Sequence, residues 1–352
     1  MSQNDFQIDR WAYARVRRTS AYRALASAWA DPVLLACSGG VDSVSLVATA
    51  AVAAEAGRVA PFVVVHVDHG TRAETAREGR FVAALASAFG RPFVQLRLGG
   101  DSREGDQGPE ATLREARYEA LARLADRLGI QAVVTAHTRD DQIETILMRL
   151  LSGASPLASA GMKTVRTLES SSGSLDVRRP LLGVSREALH RVLEILSLPH
   201  REDPTNLDLT YRRNRIRYKV IPELELLDPG FGEGLTRAIE LSGADSALVD
   251  RLAREAYENN VEVRVRTLSV SRSFLRSADA AITTRVVRTA VESLLAGDLR
   301  ELTYERIRAV VEAAVGRTGA NIELPYGIVA IVKRDRVVIG RKSECEAGDD
   351  WR

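Results

Sequence analysis

The stretch Ser38-Gly39-Gly40-Val41-Asp42-Ser43 constrains this chain more than any other part of its sequence. It follows the apolar run 33–37 and precedes apolar residues at helical spacing, so a strand, a glycine turn and a helix are predicted in that order. Adjacent glycines let successive backbone N–H groups point at one anion, and the new helix aims its positive end at the same place. No Gly-Lys-Ser/Thr follows, which excludes a Walker A loop. An ordinary strand-to-helix turn is the alternative.

Length and composition indicate a soluble globular protein of two domains, because 352 residues with 45% hydrophobic and 27% charged side chains exceed one typical domain. No apolar run reaches the ~20 residues that a membrane span needs, and the N-terminus lacks a signal pattern. We therefore expect a cytoplasmic protein without a membrane partner. Cys37 and Cys345, the only cysteines, predict neither a disulfide framework nor a thiolate metal site.

Apolar and helical segments alternate through the first half of the chain. Strands are predicted at 33–37, 62–67, 93–98 and 132–136, and helices at 76–89, 110–128 and 140–151. This alternation predicts an α/β fold with a doubly wound, mostly parallel sheet. In such sheets ligands bind beyond the carboxyl ends of the strands. The glycine loop, His66-Val67-Asp68-His69-Gly70 and His137-Thr138-Arg139-Asp140-Asp141 all fall there, so one crevice is expected to collect them.

The same patterns predict the division of the chain. We expect a helical extension at 1–29, a catalytic domain at 30–222, a smaller helical or α+β domain at 223–342 and a disordered tail at 343–352. The smaller domain is predicted to be helical to about 295, with short strands at 322–324, 328–332 and 336–339. Residues 99–109 and 169–174 are predicted to be mobile loops, and a basic helix over 212–219 is predicted to end near Pro222.

Asp140, Asp141 and Glu144 share one face at the start of a predicted helix. Each has an ordinary explanation. Thr138 and Asp141 could form a capping box, and the helix dipole favours acidic residues in the first turn of a helix. Their place at the sheet edge favours contact with a substrate or a metal instead.

Three other groups of polar residues admit two interpretations each. His66, Asp68 and His69 could bind a metal, although a polar strand end is the simpler explanation. Glu110 and Arg114 could form a surface ion pair. The run 211–219 concentrates arginine with two tyrosines, which suits a phosphate backbone and unpaired bases, but a solvated basic helix has the same composition.

The glycine loop resembles the SGGxDS loop of the N-type ATP pyrophosphatases of the PP-loop superfamily, which cleave ATP between the α- and β-phosphates. Over residues 30–222 the chain resembles one family among them, the tRNA(Ile)-lysidine synthetases. The segments that carry this resemblance are the glycine loop, 66–70, 110–118, His137 to Thr145, Arg179-Pro180-Leu181-Leu182, Asp203-Pro204-Thr205-Asn206 and 213–217.

The resemblance implies an adenine nucleotide alpha hydrolase-like fold and an ATP-dependent carbon–nitrogen ligase. Free L-lysine would be joined through its ε-amine to carbon-2 of the wobble cytidine of tRNA(Ile) with a CAU anticodon. The cytidine would first be adenylated, and AMP and pyrophosphate would be released. The product, lysidine, changes codon reading from AUG to AUA. ATP and Mg²⁺ are the implied cofactors, and a homodimer is compatible with the sequence.

The resemblance also implies roles for single residues. ATP binding is implied for Ser38, Gly39, Gly40, Val41, Asp42, Ser43 and His66, with Mg²⁺ near Asp42. Lysine binding or catalysis is implied for His137, Asp141 and Glu144. Contacts with ATP or the cytidine are implied for Arg114, Arg117 and Arg215, and tRNA contacts for Arg212, Arg213, Arg217, Lys219 and the C-terminal domain.

The chemistry requires a base, because freeing the lysine amine at pH 7 from an ammonium of pKa ~10.4 costs about 4.6 kcal/mol. His137, Asp141 and Glu144 are the candidates, and the sequence does not choose among them. Three alternatives remain. A tRNA thiolase usually requires a cysteine pair, NAD synthetase gives no reason for the basic run, and an ATP-dependent RNA-binding protein would need no acid cluster.

Overall fold

The computed structural model describes residues 6, 9–68, 75–98, 109–152, 161–201, 208–295 and 302–347, without the side chains of 75–76, 109–112, 240 and 346–347. These residues form two compact units that divide between Ala238 and Ile239. The sequence predicts an earlier boundary, at 222. The predicted loop at 99–109 is described only at its last residue, and His69 and the segment 203–206 lie outside the described residues.

The first unit is built on a six-stranded sheet in the order β3-β2-β1-β4-β6-β5. Every neighbouring pair is parallel except β5 and β6, which are antiparallel. The predicted doubly wound, mostly parallel sheet is therefore confirmed. Its strands are β1 (Val33–Ala36), β2 (Phe62–Asp68), β3 (Phe93–Arg97), β4 (Ala132–Val134), β5 (Val165–Ser170) and β6 (Gly173–Arg178).

Helices cover both faces of this sheet, since alternate residues of β1 point to opposite sides. Val33 and Leu35 join one buried cluster and Leu34 joins another. The helices of the unit are α1 (Tyr13–Val16), α2 (Ser20–Leu25), α3 (Val41–Glu55), α4 (Thr75–Ala88), α5 (Pro109–Arg127), α6 (Arg139–Leu151), α7 (Arg186–Leu196), α8 (Arg212–Arg215) and α9 (Ile221–Leu227), and α10 (Phe231–Asn260) begins in it. The residues of α1 and α2 that pack on the first cluster include Val16, Ala21 and Leu25.

The strand order reverses at β1, because β2 and β3 lie to one side of it and β4 to the other. Ligands of open α/β sheets bind at such a switch point, outside the carboxyl ends of the strands. Here α3 begins after β1 and α6 begins after β4. The two helices that carry the glycine loop and the acidic cluster therefore start on either side of the same crevice.

Two local predictions in this unit are wrong. The polar stretch 169–174, predicted to be a mobile loop, closes the β5–β6 hairpin, where Ser170 pairs with Gly173. The basic helix does not end near Pro222, since a π-helix over Ile216–Val220 leads directly into α9. Pro222 is the second residue of α9 and directly follows residues that are already helical.

The second unit contains a five-stranded antiparallel sheet in the order β7-β8-β11-β10-β9. Its strands are β7 (Val261–Val263), β8 (Thr267–Ser271), β9 (Asn321–Glu323), β10 (Ile328–Val332) and β11 (Arg336–Arg341), and its helices are α11 (Arg272–Ser277), α12 (Ala280–Leu294), α13 (Tyr304–Val315) and α14 (Lys342–Ala347), with the remainder of α10. The smaller α+β domain is confirmed. Strands β7 and β8 interrupt the region predicted to be helical.

The predicted disordered tail is wrong for residues 343–347, which belong to α14. Cys345 is buried beside Val329 and Val338, and this apolar contact anchors the helix on the sheet. Residues 348–352 lie outside the described part. Among the described helices, none combines the length and apolar character needed to cross a membrane.

Arg272 ties the second unit together. It is 4% exposed and donates to the carbonyl oxygens of Ala314 at 2.7 Å and Lys333 at 3.0 Å and to Thr318 Oγ1 at 2.9 Å. Replacing it with methionine would remove these hydrogen bonds from a buried position, and only the Ala314 carbonyl would keep another side-chain donor, Arg276, among those described. We expect Arg272→Met to lower the free energy of unfolding by about 3 kcal/mol in urea titrations followed by circular dichroism.

The matched control is Arg276→Met, because Arg276 lies on the same helix but is exposed and donates only to Ala314 among the described residues. We expect a loss below about 1 kcal/mol for it. Equal unfolding midpoints for the two variants would contradict the role given to Arg272.

Candidate active site

The glycine loop takes a shape that requires glycine at position 39. Gly39 has φ +92, and a Cβ there would lie 3.4 Å from the Phe81 ring. An L side chain would therefore be strained in this conformation, whatever the space around it. The Gly39 carbonyl accepts a hydrogen bond of 3.0 Å from the backbone N–H of Arg201, which fixes the loop from its other side.

Ser43 organises the loop from within. Its Oγ accepts from the backbone N–H groups of Ser38 at 3.2 Å and Gly39 at 3.1 Å and donates to the Gly40 carbonyl at 3.0 Å. The amides of Ser38 and Gly39 are therefore already paired inside the protein. Gly40 provides no side-chain cap for α3, so the first-turn N–H groups of α3 are the ones that can receive an anion.

The loop opens into a cavity of about 970 Å³. One wall is apolar and includes Val65, Val67 and Leu121. The charged and polar residues that line it are Ser38, Asp42, Ser43, Arg117, Tyr118, Thr135, His137, Asp141, Arg186, His190, Arg201, Arg217 and Tyr218. The glycine loop and the acidic helix therefore face one space, as the sequence predicts.

The acidic cluster combines a helix cap with a charged site. Asp141 Oδ2 accepts from the backbone N–H of Thr138 at 3.0 Å, and Thr138 Oγ1 accepts from the backbone N–H of Asp141 at 3.3 Å. This is the capping box that the sequence allows. Oδ1 of Asp141 takes no part in this cap. Asp140 instead accepts from the backbone N–H of Arg186 at 2.8 Å, so it joins α6 to α7.

Arginine side chains surround the carboxylates. Arg186 donates to Asp42 Oδ2 at 2.9 Å and lies 3.6 Å from Asp141 Oδ1, so it bridges α3 and α6. Arg213 contacts Glu144 Oε2 at 2.6 Å and Asp141 Oδ1 at 3.1 Å. Arg217 donates from Nε to Glu144 and contacts Asp141 Oδ1 at 3.3 Å. Three carboxylates thus face three guanidinium groups.

Burial and charge change the acidity of these groups. Burial raises the pKa of Asp42, although Arg186 opposes the change. Burial alone would also raise the pKa of Asp141, but the hydrogen bond from Thr138 and the guanidinium groups of Arg186 and Arg213 lower it below its usual range. Asp141 is therefore held as a carboxylate by its neighbours.

His137 lies across the cavity with its Nδ1 2.8 Å from Thr135 Oγ1. Burial, with Arg179 and Arg114 nearby, lowers its pKa to about 4, although Asp141 opposes the shift. The imidazole is therefore neutral at pH 7 and can accept a hydrogen bond or a proton.

A second group of arginines surrounds Tyr118. The guanidinium groups of Arg114 and Arg117 lie 5.4 and 5.3 Å from the centre of its ring. Arg179 is 3% exposed, and its Nη1 donates to the Lys163 carbonyl at 2.9 Å. Burial lowers the pKa of Arg179. In the described part of the chain these three arginines make no ion pair with a carboxylate, and their contacts are with the Tyr118 ring and a backbone carbonyl.

The remaining candidates lie away from the cavity. Arg212, Arg215 and Lys219 are exposed and outside its lining. His66 is buried and donates from Nδ1 to the Cys37 carbonyl at 2.9 Å, which supports a structural role behind the loop. Glu110 lies in α5, and its side chain is among those not described.

Sequence reasoning missed Arg186, His190 and Arg201, which line the cavity. It named Arg179, which lies near His137, only within a motif and without a role. Arg186 carried a usable signal. A cation in the first turn of a predicted helix opposes the helix dipole and therefore suggests a carboxylate partner elsewhere in the fold. His190 and Arg201 carried no comparable signal, since neither belongs to a pattern with a specific chemical role.

Comparison with known proteins assigns the chain to a family. Residues 15–224 match the PP-loop domain. The tRNA(Ile)-lysidine synthase of Salinispora arenicola is 45% identical over 65% of this chain and 67% of that protein. The chain belongs to the tRNA(Ile)-lysidine synthase family. Family members from Streptomyces coelicolor (36% identical, 87% of this chain and 84% of that protein) and Dehalococcoides mccartyi (32%, 93% and 69%) match over longer stretches.

The match to the family extends beyond residue 222 into the second unit. The alignment with the Dehalococcoides mccartyi tRNA(Ile)-lysidine synthase spans 333 residues, against 232 for the one from Salinispora arenicola. Both units therefore have counterparts within the tRNA(Ile)-lysidine synthase family.

The pKa of His137 predicts a specific dependence of stability on pH. Between pH 6.5 and about 4 the unfolded chain binds a proton at this side chain and the folded chain does not, so folding loses stability as the pH falls. Between pH 7 and pH 4 the free energy of unfolding should fall in both proteins, but by up to about 3 kcal/mol less in His137→Gln than in the parent chain. Urea titrations at the two pH values measure this difference. Parallel stability curves for the two proteins would contradict a buried, neutral His137.

Proposed function

We propose that this chain joins free L-lysine, through its ε-amine, to carbon-2 of the wobble cytidine of tRNA(Ile) with a CAU anticodon, using ATP. The observation that carries the proposal is that the uncapped start of α3 and the carboxylate of Asp141 open into one cavity. A phosphate site and an amine site must be close when a nucleotide is first activated and then displaced. Membership in the tRNA(Ile)-lysidine synthase family supports tRNA(Ile) as the substrate.

In the first step the cytidine carbon-2 oxygen attacks the α-phosphorus of ATP. A bond forms between oxygen and phosphorus, the bond to the bridging oxygen breaks, and pyrophosphate leaves. The first-turn N–H groups of α3 are the donors best placed for the departing phosphates. Arg117 and Arg201 add positive charge to the cavity wall. The apolar wall beside β2 offers a surface for the adenine or cytosine ring.

Asp42 is the residue that would hold Mg²⁺. The described residues contain no group of three or more potential metal ligands. Magnesium, however, is commonly held by one or two carboxylates together with substrate phosphates. Asp42 fits this pattern, because it lies in the first turn of α3. The ion would neutralise phosphate charge, and Arg186 would have to release at least one Asp42 oxygen.

In the second step the lysine ε-nitrogen attacks carbon-2, the bond between carbon-2 and the AMP oxygen breaks, and the nitrogen loses a proton. Asp141 and Glu144 can hold the incoming ammonium, and either of them or His137 can take the proton. The neutral state of His137 at pH 7 makes it available as an acceptor. Its low pKa also makes it a weak base, which favours a carboxylate for the proton.

The tRNA would reach this site along the outer face of the basic segment. Arg212, Arg215 and Lys219 are exposed there, and Tyr211 and Tyr218 are 55% and 39% exposed. Exposed cations beside aromatic rings suit a phosphate backbone and stacked bases. We also propose a tRNA contact for the second unit and a cytoplasmic location.

The cysteines argue against a tRNA thiolase. Cys37 and Cys345 are both buried and belong to different units. Burial raises the pKa of the Cys37 thiol to about 11, which disfavours the thiolate that such chemistry needs.

Separate assays of the two steps test the proposal. We expect Asp141→Asn and Glu144→Gln to reduce transfer of radiolabelled lysine to unmodified tRNA(Ile) by about 100-fold. Exchange of pyrophosphate into ATP in the presence of tRNA should fall by less than about tenfold, because the α3 site is intact. Asp42→Asn should reduce both signals.

Glu187→Gln is the control, since Glu187 is an exposed carboxylate next to Arg186 but outside the cavity lining. A tRNA whose wobble cytidine is replaced by uridine should accept no lysine. An absence of lysine transfer by the parent chain, with RNA and ATP both bound, would favour an RNA-binding protein without ligase chemistry and reject the proposal.

A further inference from the structure

The basic segment divides into two faces with different partners. Arg212, Arg215 and Lys219 point to solvent, whereas Arg213 and Arg217, four residues apart on one helical face, contact the buried acids. The sequence predicts tRNA contacts for Arg212, Arg213, Arg217 and Lys219, and a contact with ATP or the cytidine for Arg215. In the structure two of them act as counter-ions of Asp141 and Glu144.

These two arginines already donate to the carboxylate oxygens to which a bound lysine ammonium would donate. Each of the four carboxylate oxygens of Asp141 and Glu144 accepts a hydrogen bond from this chain. Oε2 of Glu144 accepts from Arg213 at 2.6 Å and from Arg217 at 3.0 Å. Since three guanidinium groups balance three carboxylates, little negative charge remains to attract a cationic substrate.

Arg213 is the counter-ion that can leave. Its side chain is 43% exposed, against 18% for Arg217 and 0% for Glu144. It also lies between the exposed cations Arg212 and Arg215, so RNA held by those residues brings phosphate groups close to it. Moving a half-exposed guanidinium from a carboxylate to a phosphate exchanges one charge-assisted hydrogen bond for another.

We infer that Arg213 is an exchangeable internal cation that fills the amine site until RNA phosphate draws it away. Its departure removes one donor from Asp141 Oδ1 and one from Glu144 Oε2, each of which keeps a hydrogen bond from Arg217, and leaves one uncompensated negative charge. The lysine ε-ammonium then takes its place. This inference rests on the proposed function, because it makes Asp141 and Glu144 the lysine site.

The exchange couples two ligands. If RNA raises the affinity for lysine by some factor, lysine must raise the affinity for RNA by the same factor. Departure of Arg213 would also raise the pKa of Asp141, because the Arg213 guanidinium group helps to keep that pKa low. The same movement would therefore prepare both the binding of lysine and the removal of its proton.

The test is calorimetric titration of L-lysine into the full chain, with and without an RNA. The RNA is the anticodon stem–loop of tRNA(Ile) with uridine in place of the wobble cytidine, so that no reaction follows. We expect the RNA to raise the lysine affinity of the parent chain about tenfold. Arg213→Gln without RNA should bind lysine about tenfold more tightly than the parent chain, and added RNA should then change the affinity less than about threefold.

Arg212→Gln is the matched control. It removes the same charge from the same turn, but Arg212 is exposed and makes no contact with either acid among the described residues. Its lysine affinity without RNA should stay within about twofold of the parent value. Arg213→Lys keeps the charge without the bidentate geometry and should give an intermediate lysine affinity, which provides a second measurement if Arg213→Gln does not fold.

Lysine affinity that is unchanged or weaker in Arg213→Gln, or unchanged by RNA in the parent chain, overturns the inference. Lysine transfer to unmodified tRNA(Ile) is measured on the same preparation. If lysine is transferred but the Arg213 variant has unchanged lysine affinity, only the exchange of Arg213 for lysine is rejected. If the parent chain transfers no lysine, the proposed function itself is rejected.

Discussion

The site depends on a short distance between two helix starts. Strands β1 and β4 are neighbours at the point where the sheet order reverses, so the helices that follow them begin on either side of one crevice. Arg186 can then reach both Asp42 and Asp141, at 2.9 and 3.6 Å. The first turn of α3 and the acidic first turn of α6 are joined through this single guanidinium group.

A buried acid cluster of this kind needs counter-ions while no substrate is present. Glu144 is fully buried, and an unpaired carboxylate there would be strongly destabilising. Arginine suits the task because it remains charged when buried and spans two carboxylates at once. Here the protein's own arginines neutralise the cluster, and the proposed binding of a lysine ammonium would be an exchange of charges.

Much of the fold could be predicted from the sequence. The strand–loop–helix around Ser38 to Ser43, the alternating segments that follow and the capping box of Thr138 and Asp141 are local features, set by period, glycine and helix-end chemistry. The errors came from competing tertiary effects. The polar stretch 169–174 forms a hairpin because β5 pairs along its whole length with β6, and residues 343–347 form a helix because Cys345 packs on β10 and β11.

The sequence by itself determined the glycine turn between strand and helix and the acids at the start of α6, because each of these local features has its own physical reason. Only the tertiary structure decided which charges meet. Asp42 and Arg186 are 144 residues apart, and Glu144 and Arg213 are 69 apart. Ion pairing depends on the distance between the charges and on their burial, and neither quantity can be read from the spacing of residues along the chain.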